Sequence, residues 1–221
     1  MENPMTFDPM PSSRVEVEEP VMPGASDGWA QVTFAINSIL QLSTPVFLKI
    51  DADGHEPAYI DFRHSAFVWS TSLFDFPTHP RNVSFETEMA SPDAPPLFRL
   101  PGQPLNSLLW LLGQHAYPGQ AAPWMRPGER YRLAQWPNLA RHLHDMRQMH
   151  MLAILGNGFF SADELAAMAD VPVGEAHNLL NALSLLRLLR VSEEVAPIVL
   201  PPEAKDRAPG LFARLLARLG K

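Results

Sequence analysis

Proline punctuates this chain so often that regular structure has to be assembled from short pieces. There are 23 prolines among 221 residues, about twice the usual share of roughly 5%. Each one fixes φ and removes a backbone donor, so it ends helices and is kept out of central strands. The stretches between prolines therefore carry the reading. Apolar residues make up 46% of the chain, an ordinary value that leaves enough material for a core. A length of 221 residues suggests one or two domains.

Composition narrows the function classes. The chain has no cysteine, so disulfides, thiolate metal sites and cysteine nucleophiles are excluded. Its formal charge is −7, and an acidic chain is repelled by nucleic acid unless basic residues cluster locally. No apolar run approaches the ~18 residues of a membrane-spanning helix. The opening "MENPMTFDPMPSSRVEVEEP" lacks the basic start and apolar stretch of a secretion signal, so the expected location is the cytoplasm.

Residues 1–27 carry Glu2, Asp8, Glu16, Glu18, Glu19 and Asp27 against Arg14 alone. With prolines between them, these residues read as a disordered acidic arm. Residues 28–117 read as a small α+β domain. Val32, Ile36, Ile39 and Leu40 recur at helical spacing and stop before Pro45. "VFLKI" and "AYIDF" are rich in strand formers, and Asp53-Gly54 between them is a hairpin signal. His64-Ser65 marks a second tight turn, "NVSFETEM" alternates as another strand, and "PLNSLLWLLGQHA" is a helix with proline near its start. Residues 118–136 are Pro- and Gly-rich and read as an inter-domain linker. In residues 137–195 a helix is expected from about Pro137 to Leu155, with His150 on its apolar face. Ser161 and Glu164 form a capping box for a second helix. A third runs from about Val173 to Leu189, giving an all-α tri-helical unit. Residues 196–221 read as an extended tail ending in a short amphipathic basic helix.

Two stretches bear a likeness to known families. "SADELAAMADV", "VGEAHNLLNALSLLRLLRV" and the apolar helix before them resemble a winged-helix domain over residues 137–195, which implies a helix-turn-helix fold. "INSILQL", the strand pair "VFLKIDADGHEPAYIDFRHSAFVWS" and "LNSLLWLLG" resemble a PATAN-type bacterial signalling domain over residues 29–117. Where that family tends to carry glycine before the strand "AFVWS", this chain has Ser65. The two resemblances together imply a non-catalytic signalling adaptor, with a small GTPase or a response regulator as its partner.

The helix-turn-helix raises the alternative of a DNA-binding transcription regulator. Its candidate residues would be His177, Asn178, Asn181 and Arg187. From Ser161 to Val191, however, Asp163, Glu164, Asp170 and Glu175 outnumber Arg187 and Arg190, and phosphate contacts supply most DNA affinity. Protein–protein contact is therefore the expected mode. Its candidate residues are Leu211, Phe212, Arg214, Leu215, Arg218 and Leu219 of the terminal helix, for which packing on its own domain is the first expectation, a partner's groove the second and an anionic membrane the third. Trp124 joins them if exposed, although pinning the two domains together is the favoured role for so large a ring.

Chemistry is not expected. His142 and His144 point roughly 200° apart on a helix and so cannot share a metal. "DADGHE" lacks the calcium-loop spacing. No phosphate loop, nucleophile elbow or HExxH motif occurs, and Glu86 and Glu88 fit a solvated strand edge. The expectation is a protein with no catalytic, cofactor-binding or metal residues.

Overall fold

The computed structural model describes residues 28–91, 93–138 and 145–192. The acidic arm, His142, His144 and the terminal helix with Leu211, Phe212, Arg214, Leu215, Arg218 and Leu219 lie outside the described residues.

Helix α1 (Ala30–Leu42) buries Val32 and Ile36 and ends at Ser43, which takes a left-handed φ of 52° just before Pro45. Strands β1 (Val46–Ala52), β2 (Ala58–Asp61), β3 (Ala66–Val68), β4 (Val83–Met89) and β5 (Gln103–Pro104) form one antiparallel sheet in the order β4-β1-β2-β3-β5. Gly54 turns β1 into β2 at φ 77°, and Ser65 turns β2 into β3 at φ 48°. Leu48, Ile50, Ile60 and Phe67 line the buried face, as the period-2 alternation of strands requires. Helix α2 (Leu105–His115) starts at Pro104 and buries Leu105, Leu108, Leu109, Trp110 and Leu112.

The remaining elements are β6 (Arg130–Leu133), α3 (Met146–Asn157), α4 (Ala162–Ala169), α5 (Val173–Leu185) and β7 (Leu189–Ser192). The capping box on Ser161 and Glu164 starts α4. Strand β6 pairs antiparallel with β7, and Tyr131 on its other edge exchanges backbone bonds of 2.8 and 2.9 Å with Phe160.

The expected hairpin domain followed by an all-α domain is not the architecture. The chain is a mixed α+β fold in which strands and helices interleave around a five-stranded antiparallel sheet. β6 and β7 bracket the three helices, and one contiguous cluster of buried side chains runs from Trp29 to Leu185. Glycine and proline between Tyr117 and Arg130 suggested a solvated linker. The prolines and glycines there are exposed, but the residues between them pack inward: Ala122 and Met125 are buried, and Tyr117 donates its hydroxyl to the Ala30 carbonyl at 2.8 Å. Gly113 brings α2 onto α5 so closely that a Cβ on it would lie 2.8 Å from the Ala182 nitrogen.

Two local expectations also need correction. Helix α3 begins at Met146, capped by the Asp145 side chain accepting from the Arg147 N–H, and not near residue 137. Its inner face holds Met151, Leu152, Ile154 and Leu155, while His150 is exposed.

Candidate functional site

Helix α5 presents its polar side chains to the loop that follows α2. Gly119 adopts φ 72° and its N–H donates to Asn178 Oδ1 at 2.7 Å. His177 Nδ1 donates to the Gly119 carbonyl at 3.2 Å. Asn181 is fully buried: its Oδ1 accepts from the Ala122 N–H and its Nδ2 donates to the Gln120 carbonyl, each at 2.8 Å. The three residues named as DNA readers thus bond the Gly119–Ala122 loop of their own chain, His177 and Asn178 at its surface and Asn181 in the interior. Glu175, at the start of the same helix, pairs with Arg147 at 3.1 Å. Arginines do gather on the outward side of the β6–β7 ribbon, where Arg132 stands opposite Arg190, but Arg130 beside them is held by Glu164 at 2.7 Å.

Trp124 joins the two halves. Its indole N–H donates to Ser184 Oγ at 2.9 Å, and its ring meets Tyr117 at 5.7 Å and Phe34 at 6.4 Å between centroids. Burial pushes the Tyr117 hydroxyl up to about 12, so it stays a proton donor at neutral pH.

Beside Trp124 a cleft of about 340 Å³ opens between α1 and β7. Asn37, Ser184, Arg187, Glu129, Leu189 and Val191 face it. Asn37 is only 7% exposed, its amide makes no side-chain hydrogen bond among the described residues, and its polar atoms reach solvent through the cleft. Arg187 holds a left-handed φ of 58° immediately after α5. Glu129 accepts from the Tyr131 hydroxyl at 2.8 Å and from the Arg126 N–H at 3.0 Å. Burial, and then this carboxylate, drive the Tyr131 hydroxyl far above its ordinary value.

A second feature is the free edge of the sheet. Among the described residues β4 pairs with β1 alone. The Asp53 N–H donates to the Asn82 carbonyl at 3.2 Å and the Ala90 N–H to the Pro45 carbonyl at 2.9 Å. These two pairs fix the phase of the ladder, because bonded pairs alternate in antiparallel sheets. Ser84, Glu86 and Glu88 therefore bond inward to β1, and Val83, Phe85, Thr87 and Met89 aim their backbone N–H and C=O groups outward. Met89 is 70% exposed, and Glu86 and Glu88 stand in the open on the other face of the strand.

A third cluster is structural. Asp61, fully buried, accepts from both Arg63 (2.9 and 3.1 Å) and His64 Nδ1 (2.9 Å). Arg63 also donates to the Ser91 and Ala94 carbonyls at 2.7 and 3.0 Å and lies over the Phe47 ring at 4.6 Å. Burial raises the Asp61 carboxyl, but the bonds from Arg63 and His64 together hold it below the usual range. The triad ties the β2–β3 turn to residues 91–95.

Sequence reading missed Asn37 and the outward phase of β4. Thr33 and Asn37, four residues apart, share one stripe of a helix whose other inward positions are apolar, and that pairing was the available signal for the cleft. No family model, curated protein or solved structure matches this chain.

Proposed function

We propose that this chain is a non-catalytic regulatory adaptor of bacterial signalling, working in the cytoplasm by protein–protein contact, and that a partner's extended segment adds to the edge of β4. The observation that carries this reading is the row of outward donors and acceptors from Val83 to Met89, on a strand anchored at both ends. Such an edge templates strand addition. Phe85 and Met89 offer apolar contact on one face, and Glu86 and Glu88 offer negative charge on the other. The fitting occupant is a strand that alternates apolar and basic residues, and the net charge of −7 steers a basic partner toward it. The PATAN-type resemblance adds a partner class, a small GTPase or a response regulator. Consistent with the proposed location, no helix among the described residues is long and apolar enough to cross a membrane. Engagement of His177, Asn178 and Asn181 by the Gly119–Ala122 loop argues against base reading by α5.

The test uses the full chain. A photo-crosslinking residue in place of Glu88 is expected to trap one discrete protein in the native host. Thr87→Pro removes only an outward N–H, so it is expected to keep the fold while weakening that purified protein's binding at least about tenfold. Equal binding by the Thr87→Pro variant would overturn the edge as the docking site. Tight, salt-steep retention of duplex DNA by the unaltered chain would overturn the adaptor reading itself.

A further inference from the structure

We infer that the cleft between α1 and β7 is a binding site for a small organic anion whose apolar body carries an amide-like edge. This inference does not rest on the adaptor reading. Its first support is Asn37, more than nine-tenths buried, opening onto the cleft and with an amide that makes no side-chain hydrogen bond among the described residues. That amide is not sealed off from solvent, so its donors and acceptor are open to a ligand that enters the cleft. An asparagine amide makes a two-point pair with any edge that presents a donor next to an acceptor, such as an adenine edge or a peptide group.

The second support is Arg187. It stands where a helix terminates in the left-handed region, with the Leu188 N–H donating back to the Leu183 carbonyl at 2.9 Å. Glycine is the residue that suits this position. An arginine there accepts backbone strain, faces the cleft, and has no ion-pair partner among the described residues. A cation so placed fits the anionic group of a ligand.

The rest of the cleft is consistent with these two groups. Trp124, Met125, Leu189 and Val191 line the cleft and offer apolar surface to the body of a ligand. Ser184 Oγ already accepts from Trp124, which leaves its own proton to donate inward. Glu129 repels an acid and welcomes a donor, and so orients the ligand with its anion toward Arg187. A cleft of about 340 Å³ sits at the small end of ligand sites, the size of a mononucleotide or an N-acyl amino acid. Because the lining is drawn from α1, from the end of α5 and from β7, occupancy ties the sheet half to the helical half.

The chemistry can come from a phosphate or a carboxylate, and two probes separate them: adenosine monophosphate and N-acetylphenylalanine. Each is titrated into the nitrogen-15-labelled full chain. Saturable shifts of the Asn37 side-chain NH2 and the Trp124 indole N–H are expected with one probe, which identifies the source. Asn37→Leu and Arg187→Gly are each expected to weaken that binding at least about tenfold without lowering the melting temperature. No shift at about 10 mM of either probe, a range far weaker than small-ligand sites usually show, would overturn the site. Shifts that persist unchanged in both variants would also overturn it.

Discussion

The α5–loop seam and the α1–β7 cleft flank the same stretch of chain, Tyr117 to Met125, and they treat buried polar groups in opposite ways. In the seam Asn181 is fully buried, and both ends of its amide meet a backbone partner at 2.8 Å. Gly113 allows α2 and α5 to touch backbone to backbone. In the cleft Asn37 is almost as buried and has no partner among the described residues, while an arginine occupies a glycine-favouring backbone position. Polar groups in a low-dielectric interior stabilise when fully matched and destabilise when not. The seam therefore holds the molecule together, whereas the Asn37 amide contributes no side-chain bond to the fold among the described residues. Substitutions in the two regions should then differ in sign as well as in size.

The largest effect is expected at Gly113. A valine there drives its Cβ into the Ala182 backbone, and backbone on two packed helices cannot yield as a side-chain tip can. Overpacking of this kind costs about 3 kcal/mol or more, read as a lowered urea midpoint at constant m-value. A midpoint like that of the unaltered chain would mean that α2 and α5 can part, and the expected two-domain division would regain force. Next in size is Asn181→Ala, which leaves the Ala122 N–H and the Gln120 carbonyl buried and unmatched. A loss of about 2–4 kcal/mol is expected. The same substitution at an exposed reading position on a DNA-binding helix would leave stability nearly unchanged.

These two residues also show how far the sequence could be read. Strands β1 to β4 were legible because period-2 alternation, Asp53-Gly54 and the β-branched and aromatic runs agree locally, whereas β5 at Gln103–Pro104 carries no such signal. The capping box at Ser161 and Glu164 marked the start of α4 for the same reason. What failed was long-range. Nothing near Gly113 in sequence says that Ala182 lies against it, and a glycine chosen for close approach looks like any other glycine. Pro- and Gly-rich chain between Tyr117 and Arg130 signals an irregular backbone, but not whether that backbone faces water or a helix. Asn178 and Asn181 were read from position on a helix-turn-helix, and position alone cannot tell a polar side chain aimed outward from one that bonds a loop. His150 was placed inside by helical phase drawn from a start near residue 137. The helix starts at Met146, with His150 exposed.

In the cleft the sign should reverse. Asn37→Leu puts an apolar side chain of similar volume at a largely buried position where the amide makes no side-chain bond among the described residues, and should raise stability by about 1 kcal/mol. Thermal melting in the absence of any added ligand reads this directly, at roughly 2–4 °C per kcal/mol for a chain of this size. A fall instead would show that the amide has an intramolecular role, and the contrast with Asn181 would dissolve.

The smallest expected effect is the sharpest test of the comparison, because it places the same residue type on both sides. Glycine is indispensable at 113 and absent at 187, where the backbone conformation favours it. Arg187→Gly relieves a left-handed φ of 58°, worth about 1 kcal/mol, and loses part of that to the greater freedom of glycine in the unfolded chain. A net gain of about 0.5 kcal/mol is expected. Because Arg187 has no ion pair among the described residues, little else should change. A loss of stability would mean that the arginine side chain holds the end of α5 in place, so that its strain serves the fold and the cleft differs from the seam only in degree. A gain would leave the strained arginine without a structural purpose, and its placement over the cleft would then require a purpose outside the fold.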